Sequence, residues 1–157
     1  MINIHATAIL VGRAGLLFVG PSGSGKSMLA FNCLAAAQRG GAPAALVADD
    51  QVFLAAEEAG ITAYRPETIA GLIEIRGSGI AEITSIPAAA MQLAILPVDL
   101  AVTERLPPAN ENYDIAGIGT LPLLRLDRLS REPLAVIAAF HPDIGIPTTR
   151  QARTTDF

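Results

Sequence analysis

Residues 16–27 read LLFVGPSGSGKS. Four apolar residues, the pattern of a short buried strand, run into Gly20, Pro21, Ser22, Gly23, Ser24, Gly25, Lys26 and Ser27, and an alanine- and leucine-rich stretch follows. The order is G-x-x-x-x-G-K-[ST] with a strand before it and a helix after it, the context in which that pattern cradles phosphate. A chance glycine-serine turn would have no need of both flanks. Glycine at 23 and 25 opens backbone angles closed to other residues, so successive N–H groups can turn inward around a triphosphate. The helix behind the loop offers its N-terminal amides and the positive end of its dipole. Lys26 would reach the β- and γ-phosphates, and the Ser27 hydroxyl would ligate Mg2+. The chain is thereby constrained to an α/β fold whose first strand–loop–helix unit holds a nucleoside triphosphate or descends from one that did.

A chain of 157 residues fits one domain over 1–157, burying about two-thirds of the surface its unfolded form exposes. Only 17% of the residues are charged and 51% are apolar, which asks for burial on both faces of a sheet or cover from other subunits. A net charge of −4 gives no support to nucleic-acid binding, which asks for a basic face, and leaves a protein partner open through a local patch. Cys33 is the single cysteine, so no internal disulfide forms; on a helix with Phe31 and Leu34 it reads as a core residue. No basic leader opens the chain, and no apolar run reaches the ~18 residues of a membrane helix. The richest run, 88–102, is broken by Gln92, Pro97 and Asp99. The expectation is a soluble, cytoplasmic protein.

Residues 2–11 are extended and apolar, and a turn at 12–15 predicts a hairpin into the strand at 16–19. Residues 27–38, free of Gly and Pro, predict a helix ended by Gly40 and Gly41, with Arg39 at its negative pole. Residues 44–48 predict a strand ending at Asp49 and Asp50. Extended runs at 52–54 and 61–64, around a turn at 57–60, predict a β-meander rather than a βαβ crossover. Residues 66–71 are irregular or a short helical turn, LIEIR at 72–76 alternates as a half-buried strand does, and Gly77-Ser78-Gly79 is a flexible loop. Residues 91–102 predict one buried strand or two halves split at Pro97. A polar, proline-bearing loop covers 105–114, and the stretch 117–126 ends in an extended run. Residues 133–140 predict a closing helix with Pro133 in its first turn. The tail from 141 is expected to be weakly ordered. Hairpin and meander together make the central sheet mixed.

An apolar strand ending in aspartate is where phosphate-loop enzymes place a carboxylate beside Mg2+ or the attacking nucleophile. Asp49 and Asp50 stand at that point, and on an extended chain they face opposite ways, so at most one looks into the site. Glu74 and Arg76, two apart on a strand, share a face. The glutamate could complete a Mg2+ shell and the arginine neutralise a transferring phosphoryl group, or the pair could form the wet side of a half-exposed strand. Arg105 and Arg128 are open to a similar double reading, as an extra cation over the phosphates or as solvated loop charge. His5 taken alone reads as a surface or capping residue, and His141 has no partner in the sequence.

In order along the chain, His5-Ala6-Thr7, GPSGSGKS at 20–27, LVADD at 46–50 and LIEIRGSGI at 72–80 resemble the HPr kinase/phosphorylase family. The last run follows that family's signature and is not shared by phosphate-loop proteins at large. The resemblance covers residues 4–80 well and the remainder loosely. It implies a P-loop kinase domain with a mixed central β-sheet, similar to the family's C-terminal domain. It implies ATP- and Mg2+-dependent phosphorylation of a serine of HPr, the phosphocarrier of the bacterial sugar phosphotransferase system, which many members reverse by phosphorolysis. Carried across residue by residue, Lys26 binds phosphate, Ser27 and Glu74 bind Mg2+, and Asp50 takes the proton of the acceptor serine. His5 becomes an active-site histidine, Arg105 (within Thr-Glu-Arg-Leu, 103–106) a catalytic arginine, and Arg76, Gly77 and Gly79 part of the signature loop. With His5 so near the start, the chain resembles the short, kinase-domain-only members of alphaproteobacteria, and the family's hexamer implies a homo-oligomer. Where longer members carry an Arg-Pro-Gly-Arg-Asn loop important for phosphorolysis, this chain has Arg125-Leu126-Asp127-Arg128. Two other classes fit the motifs: a phosphate-loop kinase for a small metabolite, with Asp50 under a lid, and a non-catalytic nucleotide-sensing module signalling through Asp49, Asp50 and the 77–79 loop.

Overall fold

Strand β3 (Ala14–Phe18) is buried along its whole length, because structure covers both of its faces. In the computed structural model, which describes residues 1–103 and 106–147, β3 lies between β2 (Thr7–Val11), its antiparallel hairpin partner, and β10 (Leu93–Val98), alongside which it runs parallel. With β4 (Ala44–Ala48), β11 (Asn112–Ile115) and β12 (Gly119–Asp127) these form a six-stranded mixed sheet in the order β11-β12-β10-β3-β2-β4. β2 is antiparallel to both neighbours and β10 parallel to both of its own. Strands β3, β4, β10 and β12 therefore all point one way, and their carboxyl ends share one edge, the edge at which open α/β sheets hold ligands.

A second sheet, antiparallel throughout, is built from β1 (Ile2–Ile4), β5 (Val52–Glu57), β6 (Gly60–Tyr64) and β9 (Ala88–Met91). It covers one face of the large sheet, where Leu17, Val19, Val47 and Ala94 pack with Leu54, Ala63 and Met91. Helices α1 (Lys26–Arg39) and α2 (Pro133–Phe140) cover the other, where Leu16, Phe18 and Ile95 meet Leu29, Cys33 and Ile137. The alternation along β3 sends Leu16 and Phe18 to the helices and Leu17 and Val19 to the second sheet, so all four must be apolar. Burying each of Leu16, Leu17 and Phe18 stabilises the fold by about 1.5–3 kcal/mol. Cys33 is fully buried, and burial pushes its thiol up to about 12, as suits a core residue.

Helix α1 stops where Gly40 and Gly41 turn their N–H groups back onto Ala36 and Gln38, and α2 starts on Pro133. Other expectations need correction. The early extended segment is two strands in different sheets, divided at His5 and Ala6. The 77–79 segment is not a flexible loop but the tight turn of a hairpin between β7 (Leu72–Ile75) and β8 (Gly79–Glu82), closed by the Ser78 N–H on the Ile75 carbonyl at 2.9 Å. Strand β11 takes up the end of the expected loop 105–114 and runs to Ile115, recruited by its pairing with β12. The stretch 141–147 is not a loose tail: Arg13 N–H donates to the Gly145 carbonyl at 3.1 Å and Ile146 is buried, so it docks beneath the β2–β3 turn. Residues 148–157 lie outside the described residues.

The break within 91–102 falls at Gln92, not at Pro97. Ile95 turns its carbonyl to Val19, so Pro97 faces the same side two residues on, past the last β3 partner, where a missing N–H leaves no rung empty. Gln92 instead joins the two sheets. Its N–H donates to the Gly15 carbonyl at 2.8 Å and its side-chain oxygen accepts from the Gly15 N–H. The approach tolerates no side chain: a Cβ on Gly15 would stand 1.8 Å from the Ala90 carbonyl oxygen. Gly15→Ala is expected to cost about 3 kcal/mol of stability by forcing one sheet off the other. The measurement is the urea midpoint, and an unchanged midpoint would contradict the close approach.

Candidate active site

At the carboxyl edge the chain leaves β3 through Gly20, whose carbonyl, with that of Pro21, accepts hydrogen bonds from the Lys26 Nζ at 2.8 and 2.9 Å. Ser24 N–H closes the loop onto the Pro21 carbonyl at 3.2 Å. Gly23 (φ 78°) and Gly25 (φ 103°) adopt left-handed conformations that a side chain would strain. Gly25 is also the N-cap of α1, with no side-chain cap and no acidic residue in the first helical turn. The first N–H groups of the helix are thus left without a side-chain acceptor. The Ser24 hydroxyl is buried with no partner. Lys26 is 6% exposed; burial holds its pKa below the ordinary lysine value, against the opposing pull of Asp50 and Asp49. Uncapped amides, an orphan hydroxyl and a nearly buried ammonium in one loop suit a bound chain of phosphates.

Strand β4 delivers the two aspartates beside this loop. Asp49 is 5% exposed. Its Oδ1 accepts from the Ser27 hydroxyl at 2.6 Å and the Thr7 hydroxyl at 2.8 Å, and its Oδ2 from the Glu74 N–H at 2.9 Å. Asp50 does not continue the strand: its φ of 73° is left-handed, a conformation aspartate tolerates better than most residues. Of the two, only Asp50 lines the cleft described below, while both carboxylates act on Lys26. Asp50 is turned outward, its side chain 68% exposed, with the His5 Nδ1 3.1 Å away.

A cleft of about 420 Å3 opens over this arrangement. Ser22, Gly23, Gly25, Lys26 and Ser27 of the loop line it, together with His5 and Asp50. Glu74 and Arg76 also line it, as expected of two residues sharing a face, and an Arg76 Nη2 lies against the loop, 3.5 Å from where a Cβ of Gly23 would stand. Gly20, Pro21 and Ser24 form the body of the loop behind the lining, Asp49 lies buried below it, and Gly77 and Gly79 shape the hairpin turn without lining the cleft. Arg105 lies outside the described residues. The wall sequence reasoning left undecided or missed follows β12: Arg128, Leu129, Ser130 and Arg131. Arg128 is fixed by its N–H on the Val98 carbonyl (2.9 Å) and by Asp99 Oδ2, 3.5 Å from its Nη2. Its place just after an apolar, extended run was the available signal. Thr7 was visible only as part of the His-Ala-Thr run.

Among the described residues no group of three or more His, Cys, Asp or Glu side chains could hold a metal by itself, and no helix is long and apolar enough to cross a membrane. The family model of the HPr serine kinase C-terminal domain matches residues 1–120. An HPr kinase/phosphorylase of Clostridium kluyveri is 30% identical over 116 residues, 74% of this chain and 36% of the relative. That of a Geobacillus species is 32% identical over 116 residues, 73% and 35%, and that of Bacillus licheniformis 29% identical over 145 residues, 92% and 41%. The chain spans 35% to 41% of the length of these relatives. The structure of the Hpr(Ser) kinase/phosphatase from Coxiella burnetii superposes with a TM-score of 0.72 over 90% of this chain and 95% of that one, at 22% identity, which speaks to fold. Loop, aspartates and β7–β8 hairpin all lie within the matched residues, and the chain belongs to the family of the HPr serine kinase C-terminal domain.

Proposed function

We propose that residues 1–157 act as one ATP- and Mg2+-dependent kinase domain that phosphorylates a serine on an HPr-like phosphocarrier protein. The observation that carries this reading is the carboxylate of Asp50, 68% exposed in the wall of the same cleft as Lys26. An outside protein's hydroxyl can reach such a group, whereas a small-metabolite kinase would enclose it. Serine is a poor nucleophile, so a carboxylate must accept its proton as the bond to phosphorus forms. Asp50 takes that proton, with His5 holding it in place. Lys26 binds the β- and γ-phosphates, and Ser27 and Glu74 would hold the metal. Bound Mg2+ would supply positive charge to offset that of the phosphates. Arg76 and Arg128, which line the same cleft, neutralise charge on the group in transfer. The low share of charged residues, 17%, fits a domain that covers part of its surface with further copies of itself.

The test is to incubate the protein with γ-labelled ATP, Mg2+ and a bacterial HPr and to locate the label. Label on an HPr serine is expected; nucleotide binding without any transferred label would favour the sensing module instead. A second incubation, of phospho-HPr with inorganic phosphate, reads the reverse reaction, for which Arg125-Leu126-Asp127-Arg128 lacks the proline and glycine of the longer loop.

A further inference from the structure

Three polar or charged side chains are buried among the described residues, Thr7, Lys26 and Asp49, and they gather at one point of the sheet edge. The proposed function gives roles to Lys26 and, through Ser27, to Asp49. It gives none to Thr7, which is 0% exposed. A strand position with no exposure is served better by valine, because burying a hydroxyl costs free energy unless it is bonded. The Thr7 hydroxyl is bonded, to the same Asp49 oxygen that receives the Ser27 hydroxyl.

The sheet is built to make this contact. Along β2 and β4 the pairs run Val11 with Ala44, Leu10 with Ala45 and Ile9 with Leu46, and then the register slips so that Ala8 meets Ala48 and Val47 is left over. In the unslipped register Asp49 would fall opposite Ala6 and turn its side chain to the other face. The bulge brings it opposite Thr7 instead, as bulges beside functional sites commonly re-aim a side chain.

An ionised carboxylate only accepts, so both hydroxyls must donate to Oδ1. With its proton committed to Asp49, Ser27 turns its lone pairs toward the cleft. Thr7 on Oδ1 and the Glu74 N–H on Oδ2 fix the carboxylate from both ends and so fix that direction. We infer that Thr7 is a positioning residue for the divalent cation of the bound nucleotide, acting through Asp49 on Ser27. The inference rests on the Mg2+-nucleotide reading of the cleft.

The experiment titrates Mg2+ against ADP binding in the full chain for wild type, Thr7→Val and Thr7→Ser, with ADP affinity in EDTA and the melting temperature recorded alongside. Loss of an outer-shell partner typically weakens metal affinity 10- to 100-fold, so Thr7→Val is expected to need about tenfold more Mg2+ for half-maximal binding. Metal-free ADP affinity should stay at the wild-type value in all three proteins. Thr7→Ser, which keeps the hydroxyl and drops the methyl, should respond as wild type. A wild-type Mg2+ midpoint in folded Thr7→Val overturns the inference while leaving the functional reading intact, and so does a Thr7→Ser midpoint displaced with that of Thr7→Val. Should Thr7→Val fail to fold, Thr7→Ala is measured in its place against the same expectation. Wild-type binding indifferent to Mg2+ overturns the functional reading, and the inference with it.

Discussion

Asp50→Asn is expected to leave nucleotide binding intact and to slow phosphoryl transfer to HPr by about two orders of magnitude or more, the contribution of a general base. The substitution isolates proton acceptance because it changes little else. Asparagine has the shape of aspartate and tolerates the left-handed backbone at φ 73° at least as well. Alanine there would add about 1 kcal/mol of backbone strain and blur the result. The amide oxygen can still face the His5 Nδ1, now 3.1 Å from the carboxylate, but it cannot take a proton from serine. Lys26 loses one of two carboxylates that favour its charge and keeps Asp49. Removing a negative charge beside a phosphate site should leave the affinity for ATP unchanged or slightly tighter. Single-turnover transfer of labelled phosphate separates the two quantities. Transfer at the wild-type rate would remove Asp50 from the mechanism.

The parts of the fold legible in the sequence are those whose cause is local. The loop at 20–27, helix α1 and strand β4 are bounded by glycines and prolines and set by their own periodicity, and α2 begins on its own Pro133. Where the cause is distant, the sequence is silent. The break at Gln92 exists because Gly15, 77 positions earlier, meets it. Thr7 gains its partner from 42 positions away, and only through a bulge that no residue type announces. The two aspartates illustrate the limit most sharply. Alternation along an extended strand allows at most one of them to face the cleft but does not say which; that is set by Asp50 leaving the extended region and by the slipped register that aims Asp49 at Thr7. Arg128 reaches the cleft by the parallel pairing of β12 with β10, a topological fact that spacing along the chain cannot carry.

Lys26→Met is expected to abolish detectable nucleotide binding and transfer together, without lowering the melting temperature by more than a few degrees. Lys26 is nearly buried at 6% exposure, and its ammonium is held by the Gly20 and Pro21 carbonyls. A charge in that position is costly to the fold, and the depressed pKa expresses that cost. Methionine retains the stem that packs against the loop and discards the charge. The sign of the pH dependence follows. Because the folded pKa lies below the ordinary 10.5, the folded protein releases its proton first, and wild-type stability rises with pH between the two values. The penalty is fully present below the folded pKa, so any stability advantage of Lys26→Met is largest there and narrows as pH climbs toward 10.5. Denaturant melts of both proteins across that range read the difference, and ADP binding read in parallel shows what the charge is for. A lysine kept nearly buried at a cost to the fold, its ammonium bonded to carbonyls of its own loop, is hard to explain as structure alone. Retained nucleotide affinity in Lys26→Met would show that the loop binds through its backbone amides alone.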